Sequence, residues 1–240
     1  MHLPLNIKIY LTLRRAVKAL TPEGKTALAS FLQSQKRQEG YCGPGGQVEP
    51  YYTQFGKLIE SALAGHLFPR MSPLAVAFEE NSEENDNSIY HIFFRFLNDE
   101  MRLRRPAGER IKDGLAQFRT PSGGYVHSTN RPEAATNATC AALTMLKQTG
   151  LQDEQSLQWL MDRQDETGGF RATADAPIPD ILSTGVAMFT LHLYNREPKV
   201  GVTDFVLAHT LPTGGIAPTI FDEYSDVEYI FYGLLALGSR

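Results

Sequence analysis

The sequence of 240 residues is short of cationic charge, of cysteine and of long apolar runs. Its formal net charge is −4, whereas nucleic-acid-binding proteins usually present a basic face, so we expect no nucleic-acid partner. No apolar run approaches the roughly 20 residues of a membrane-spanning helix, so no transmembrane segment is expected. The 2 cysteines, Cys42 and Cys140, lie far apart and are most simply interpreted as free thiols of a cytoplasmic protein.

Two further absences concern local structure and cofactors. No segment alternates apolar and polar residues between hairpin turns, so no β-strands are expected. No Gly-x-x-x-x-Gly-Lys phosphate loop and no Cys-x-x-Cys pair occurs, and the sequence suggests no cofactor. Apolar residues instead recur at helical spacing, as in Leu5, Ile9 and Leu13, which indicates an all-α protein.

A repeated turn organises the chain. The stretch from Trp159 ends in Gly168-Gly169-Phe170, and similar glycine–glycine turns precede Tyr125 and Ile216. Tyr125 and Phe170 are 45 residues apart, Phe170 and Ile216 are 46 apart, and Tyr41 lies close to two periods before Tyr125. Repeats of this length predict stacked supersecondary units.

Each predicted unit is a charged helix, a glycine turn and a nearly uncharged helix. We place the units at about 21–65, 71–102, 107–149, 153–196 and 199–238, after an N-terminal helix in residues 1–20 that packs on them, all within one domain, 1–240. The second unit is the most degenerate: a short apolar segment from Met71 to Phe78 and the acidic run 79–86 replace the usual helix and turn. Helices that are apolar all round must be buried, which predicts two concentric layers. An open solenoid and a closed toroid both fit, and the aromatic content of the inner helices favours a closed ring around a cavity.

The pattern of helix, Gln, glycine–glycine–aromatic turn and helix resembles the prenyltransferase/squalene-cyclase repeat of protein prenyltransferase β subunits and class II terpene cyclases. The resemblance covers about residues 25–238 and is clearest from Leu160 to Phe170. It implies an (α/α) toroid of about five helix pairs, fewer than in full-length members. It also implies a site at the mouth formed by the N-termini of the inner helices.

The zinc site of the protein prenyltransferases is not expected here. The resemblance places Asp180 at the first zinc ligand, but Leu182 stands where the family has Cys and Tyr229 stands where it has His. Neither side chain is a normal zinc ligand, so we expect no metal. Ala174 and Pro177 occupy the places of the Arg and Lys that hold the prenyl diphosphate in the family. Zinc-dependent protein farnesylation is therefore rejected.

Class II terpene cyclases carry Asp-x-Asp-Asp, whose middle Asp is the acid. The matching residues here begin at Asp180 and lack that acid, although Thr184 is kept. What remains is an acidic residue near the start of each inner helix. A carboxylate there caps the helix, but several converging on one cavity would raise one another's pKa and provide a general acid. The acids are Glu49, Asp86, Glu133, Asp180 and Asp226.

We select Asp180, Asp226 and Glu228 as candidate catalytic residues. Most aromatic residues of the inner helices belong to the core, and those that face the cavity could bind an isoprenoid chain or shield a carbocation. His91 fits a satisfied interior histidine better than a catalytic one. The candidate substrate-binding residues are Tyr51, Tyr52, Tyr90, His91, Phe94, Glu133, Tyr229 and Tyr232.

Three functions stay open. The first is a cofactor-independent terpenoid cyclase or prenyltransferase-like protein that acts on or binds an isoprenoid or other apolar molecule in an aromatic cavity. The second is a non-catalytic module on a degenerate toroid that binds a lipid, a peptide or a partner protein. A sugar-active (α/α) barrel is a third, although its repeats are usually longer and it needs two opposed carboxylates.

Overall fold

The computed structural model describes residues 3–37, 40–68, 88–102 and 108–239. These residues form ten helices and three two-stranded antiparallel sheets. The helices are α1 (Leu5–Ala19), α2 (Pro22–Gln35), α3 (Pro50–Leu63), α4 (Ile89–Met101), α5 (Gly108–Ala116), α6 (Thr136–Gln148), α7 (Glu154–Met161), α8 (Ile181–Tyr194), α9 (Thr203–Ala208) and α10 (Val227–Gly238). No helix in these ranges is long and apolar enough to cross a bilayer.

The expectation that no strands form is wrong. β1 (Lys36–Arg37) pairs with β2 (Gly40–Tyr41), β3 (Val126–Ser128) with β4 (Arg131–Ala134), and β5 (Phe170–Arg171) with β6 (Pro179–Asp180). The last two pairs carry the chain from a glycine turn to the helix that follows. Strands of two to four residues are too short to show a period-2 pattern, which is why the sequence did not reveal them.

The helices after the turns form the inner layer. α4, α6, α8, α10 and α3 each pack against the next in that order, and α1 packs against α3, α4 and α10. α6 is buried along most of its length, whereas α5 buries only Ile111 and Leu115. The difference matches the predicted division into charged outer and apolar inner helices.

The glycine turns join each unit to the next. Gly168 has a φ of 91°, in the left-handed region, and a Cβ on Gly169 would lie 2.4 Å from the Phe205 ring of the next outer helix, α9. In the last unit, a Cβ on Gly215 would meet Phe31 of α2, the outer helix of the first unit. The last unit therefore packs against the first. The junction between the first and second units, with the Met71–Phe78 segment and the acidic run 79–86, lies outside the described residues, so full closure of the ring stays a prediction.

On each of three inner helices, one threonine accepts a hydrogen bond from the backbone at the preceding turn, and these bonds align the helices of the repeat with one another. The backbone N–H of Phe170 donates to Thr184 Oγ1 at 2.9 Å, and the N–H of Tyr125 donates to Thr139 Oγ1 at 2.9 Å. The same bond joins Tyr41 N–H to Thr53 at 3.0 Å. Each threonine lies four residues after the N-cap residue of its helix.

This alignment corrects the position of Glu133. The N-cap residue of α6 is Ala135, and it corresponds to Asp180, the N-cap residue of α8. Thr139 follows Ala135 by four residues, as Thr184 follows Asp180. Glu133 lies on β4 and is exposed. The β3–β4 hairpin takes up the residues that the repeat alignment had assigned to the helix start.

A buried polar cluster holds α1 in place. Glu100, at the end of α4, accepts hydrogen bonds from the Leu5 backbone N–H at 2.8 Å and from Gln148 Nε2 at 3.0 Å. Lys8 Nζ donates to Gln148 Oε1. The cluster joins the start of α1 to the C-terminal ends of two inner helices, far from the helix starts.

Candidate functional site

A cavity of about 490 Å³ lies among the inner helices and α1. Its wall is mostly apolar and aromatic, and none of the described residues that line it is Lys, Arg, Asp or Glu. Its neutral amide and hydroxyl side chains are Asn6, Gln54, Asn98, Asn137, Thr144 and Thr190. The aromatic and imidazole side chains in the wall are Tyr51, Phe55, Tyr90, Phe93, Phe94, His127, Phe189, Phe231 and Tyr232.

Four of the predicted substrate-binding residues line this cavity. Tyr51, Tyr90, Phe94 and Tyr232 contribute to its wall. The remaining four do not line it: Tyr52, His91, Glu133 and Tyr229. Tyr52, His91 and Tyr229 are half-buried.

Neighbouring rings in the wall pack edge to face or tilted. The Tyr51 and Phe55 ring centroids are 4.7 Å apart, and those of Phe55 and Phe231 are 4.5 Å apart. Phe231 meets Tyr232 at 5.2 Å. These are the separations at which aromatic pairs attract, so the rings form a continuous wall between α3 and α10.

Asp180 and Asp226 act as helix caps. The Asp180 carboxylate accepts from the Ser183 N–H and hydroxyl, both at 2.7 Å. Asp226 accepts from the Glu228 N–H at 2.8 Å. Burial raises the pKa of both carboxyls, and these hydrogen bonds oppose the rise. Neither residue lines the cavity.

Glu228 is connected to the cavity through Tyr51. Tyr51 Oη donates to Glu228 Oε1 at 2.6 Å, and both groups affect the pKa of the neighbouring Tyr232. Burial raises the pKa of Glu228, the bond from Tyr51 lowers it, and the charge of Asp226 raises it. Burial also raises the pKa of Tyr51 and Tyr232. The carboxylate outside the cavity is thus hydrogen-bonded to the Tyr51 hydroxyl in its wall.

Three predicted carboxylates meet at Tyr52. Burial, followed by the charges of Glu228, Asp226 and Glu49, raises the pKa of Tyr52 to about 12. Glu49 and Asp226 are the N-cap residues of α3 and α10, so these acids lie at the helix starts, where the mouth was predicted, next to the wall residue Tyr51. Asp180 lies apart from this group and interacts with His209. Asp86, the remaining predicted mouth acid, lies outside the described residues.

The sequence reasoning missed Gln54 and His127. Gln54 lies in the wall and is only 3% exposed. His127, on β3, also lines the wall, and its ring lies 5.3 Å from that of Tyr90. Burial, with a smaller effect of Arg131, lowers the pKa of His127, so the imidazole is neutral at neutral pH. The sequence does show that Gln54 is a polar residue on the same helix face as Tyr51, Phe55 and Leu58, which could have identified it.

The positions that resemble zinc ligands have other roles. Leu182 lines the cavity, and the Tyr229 ring packs edge to face against Tyr224, with the ring centroids 6.1 Å apart. In the part of the chain that is described, no three His, Cys, Asp or Glu side chains are grouped to hold a metal ion. Cys42 and Cys140 are buried free thiols, and burial raises the pKa of Cys140 to about 12.

The fold is similar to that of a known enzyme chain. A chain in the structure "Candida albicans protein geranylgeranyltransferase-I complexed with GGPP" matches with a TM-score of 0.56 and 13% sequence identity. The match covers 98% of this chain and 83% of that one. No protein family and no curated protein matches the sequence. The chain is therefore mostly helical with a prenyltransferase-like fold.

Proposed function

We propose that this protein binds an isoprenoid-like or other apolar small molecule in its central cavity. The observation that carries the proposal is the cavity itself: about 490 Å³, lined by aromatic and aliphatic side chains from six helices. Small-molecule pockets typically measure about 300–1,000 Å³. Each Å² of apolar ligand surface buried there contributes about 25 cal/mol, which favours an extended hydrocarbon chain.

The charges favour a ligand without a diphosphate. The similar enzyme is described with GGPP, a prenyl diphosphate. Here the described wall of the cavity contains no Lys or Arg, and the charges around Tyr52 come from Glu228, Asp226 and Glu49. Such a mouth repels an anion. A neutral apolar molecule therefore fits better than a prenyl diphosphate.

Filling the cavity tests the proposal. Ala141 lines the cavity on α6, so Ala141→Phe should lower the affinity for farnesol at least about tenfold by occupying its space. Ala29→Phe is the matched control, because Ala29 is exposed on α2. Val186→Phe repeats the test from α8 in case the first variant unfolds.

The measurement is titration of purified protein with farnesol, with circular dichroism confirming the fold of each variant. Equal affinity for farnesol in wild type, Ala141→Phe and Val186→Phe would exclude the cavity as the binding site. Failure of wild type to bind farnesol or any other isoprenoid would remove the proposed function.

A second candidate is catalysis by the carboxyl groups Asp180, Asp226 and Glu228. It is favoured by their raised pKa values and by the bond from Tyr51 to Glu228. The tyrosines themselves are poor acids, because burial raises their pKa, and they suit hydrogen bonding to an oxygen better than protonation of a double bond.

Product analysis separates the two candidates. Wild-type protein is incubated with farnesol, and the extract is analysed by gas chromatography and mass spectrometry. If catalysis is correct, a new product forms and Glu228→Gln lowers its rate about 100-fold or more, as expected for loss of a general acid. Binding of farnesol without any product would leave binding as the function and refute catalysis on this substrate.

A further inference from the structure

Gln54 is a buried polar side chain within the apolar wall of the cavity. It is 3% exposed, and neither its Oε1 nor its Nε2 has a hydrogen-bonding partner among the described residues. By contrast, the Thr190 hydroxyl of the same wall donates to the Val186 carbonyl at 2.8 Å. An amide buried without partners is unfavourable, and a partner from outside the protein would relieve that cost.

We propose that Gln54 binds a neutral polar group, such as a hydroxyl, on the otherwise apolar ligand. This inference rests on the proposed function and specifies its ligand: an isoprenoid-like alcohol rather than a hydrocarbon. An amide both donates and accepts, so it matches a group that does the same. The group is neutral because no described wall residue carries a compensating charge, and an unpaired buried charge is far more costly than a hydroxyl.

The position of Gln54 orients this ligand. α3 begins at Pro50, beside the acidic mouth, and Tyr51 is in its first turn. Gln54 follows Tyr51 by three residues, which places it about 4.5 Å further along the helix axis. The polar group would therefore bind near the mouth. The hydrocarbon chain would extend past Leu58 towards α1, where Leu5 and Ile9 line the cavity.

A matched pair of probes tests the assignment. Farnesol and farnesene have similar hydrocarbon skeletons, and only farnesol carries a hydroxyl. Wild-type protein should bind farnesol about tenfold more tightly than farnesene, because farnesene leaves the amide unpaired. Gln54→Leu should abolish this preference by weakening farnesol binding and strengthening farnesene binding. Gln54→Met is a second replacement in case Leu does not fit.

The control is Gln33→Leu, the same change at an exposed position of α2, which should keep the tenfold preference. Urea unfolding of the ligand-free proteins adds an independent reading: Gln54→Leu should have a midpoint equal to or above that of wild type. Equal affinity of wild type for the two probes, or an unchanged preference in both Gln54 variants, would overturn the role of Gln54. Absence of binding by both probes would instead refute the proposed function.

Discussion

The glycine turns and the cavity wall follow different rules. The turns of the last three units are closely alike: Gly123, Gly168 and Gly214 all have positive φ angles, from 86° to 102°. The wall differs at every helix, and polar groups such as Gln54 and His127 have no counterpart in the other units. The residues that recur in each unit are therefore the ones that hold the units together. Any ligand specificity comes from wall residues that differ between the units.

The largest predicted effect is at a turn. In Gly168→Ala the new Cβ would lie 2.4 Å from the Gly201 carbonyl oxygen, at a backbone position with a φ of 91°. Both the left-handed conformation and the close contact with backbone are unfavourable, so the free energy of unfolding should fall by about 2–4 kcal/mol. Urea denaturation measures it.

Gly150→Ala isolates the conformational part of this effect. Gly150 also has a positive φ, 84°, but a Cβ there would meet nothing within 4 Å. Its cost should be only about 1–2 kcal/mol. If the two substitutions cost the same, contact with the neighbouring unit does not constrain the turn, and the contrast between turn and wall would weaken.

The same contrast explains what the sequence could predict. The glycine pairs and the caps Asp180 and Asp226 are set by local backbone needs, so the repeat spacing and the family resemblance are enough to locate them. Gln54 and His127 were missed because the rotation of α3 and the position of β3 depend on tertiary packing. Glu133 was placed on a helix because counting in units of about 45 residues cannot resolve a shift of two residues.

The predicted effect at Asp180 is of intermediate size. This residue caps a helix and is also a candidate catalytic residue. Its carboxylate caps α8 through the Ser183 N–H, so Asp180→Ala should lower the free energy of unfolding by about 1 kcal/mol. Asp180→Asn keeps the cap, since Asn and Asp cap helices about equally well. Urea unfolding of the two variants separates capping from charge.

The pH dependence of these variants follows from burial. Because burial raises the pKa of Asp180 in the folded state, folded protein binds the proton more tightly than unfolded protein. The stability contribution of this carboxyl is therefore highest below its unfolded pKa of about 3.9 and falls as the pH rises through the folded value. Asp180→Asn should gain stability relative to wild type over that range. A constant difference between the two proteins would show that Asp180 is not destabilised by burial.

The smallest predicted effect is at Glu133, which the sequence placed with the cavity residues. Its side chain is exposed on β4, two residues before the N-cap of α6, and it does not line the cavity. Glu133→Gln should change the free energy of unfolding by less than about 0.5 kcal/mol and leave the affinity for farnesol unchanged. Glu228→Gln is the comparison, because it alters the partner of the Tyr51 hydroxyl in the wall. Urea unfolding and farnesol titration of both variants measure the difference. An effect of Glu133→Gln on affinity as large as that of Glu228→Gln would mean that the ligand reaches β4, and that the cavity wall does not mark the limits of the site.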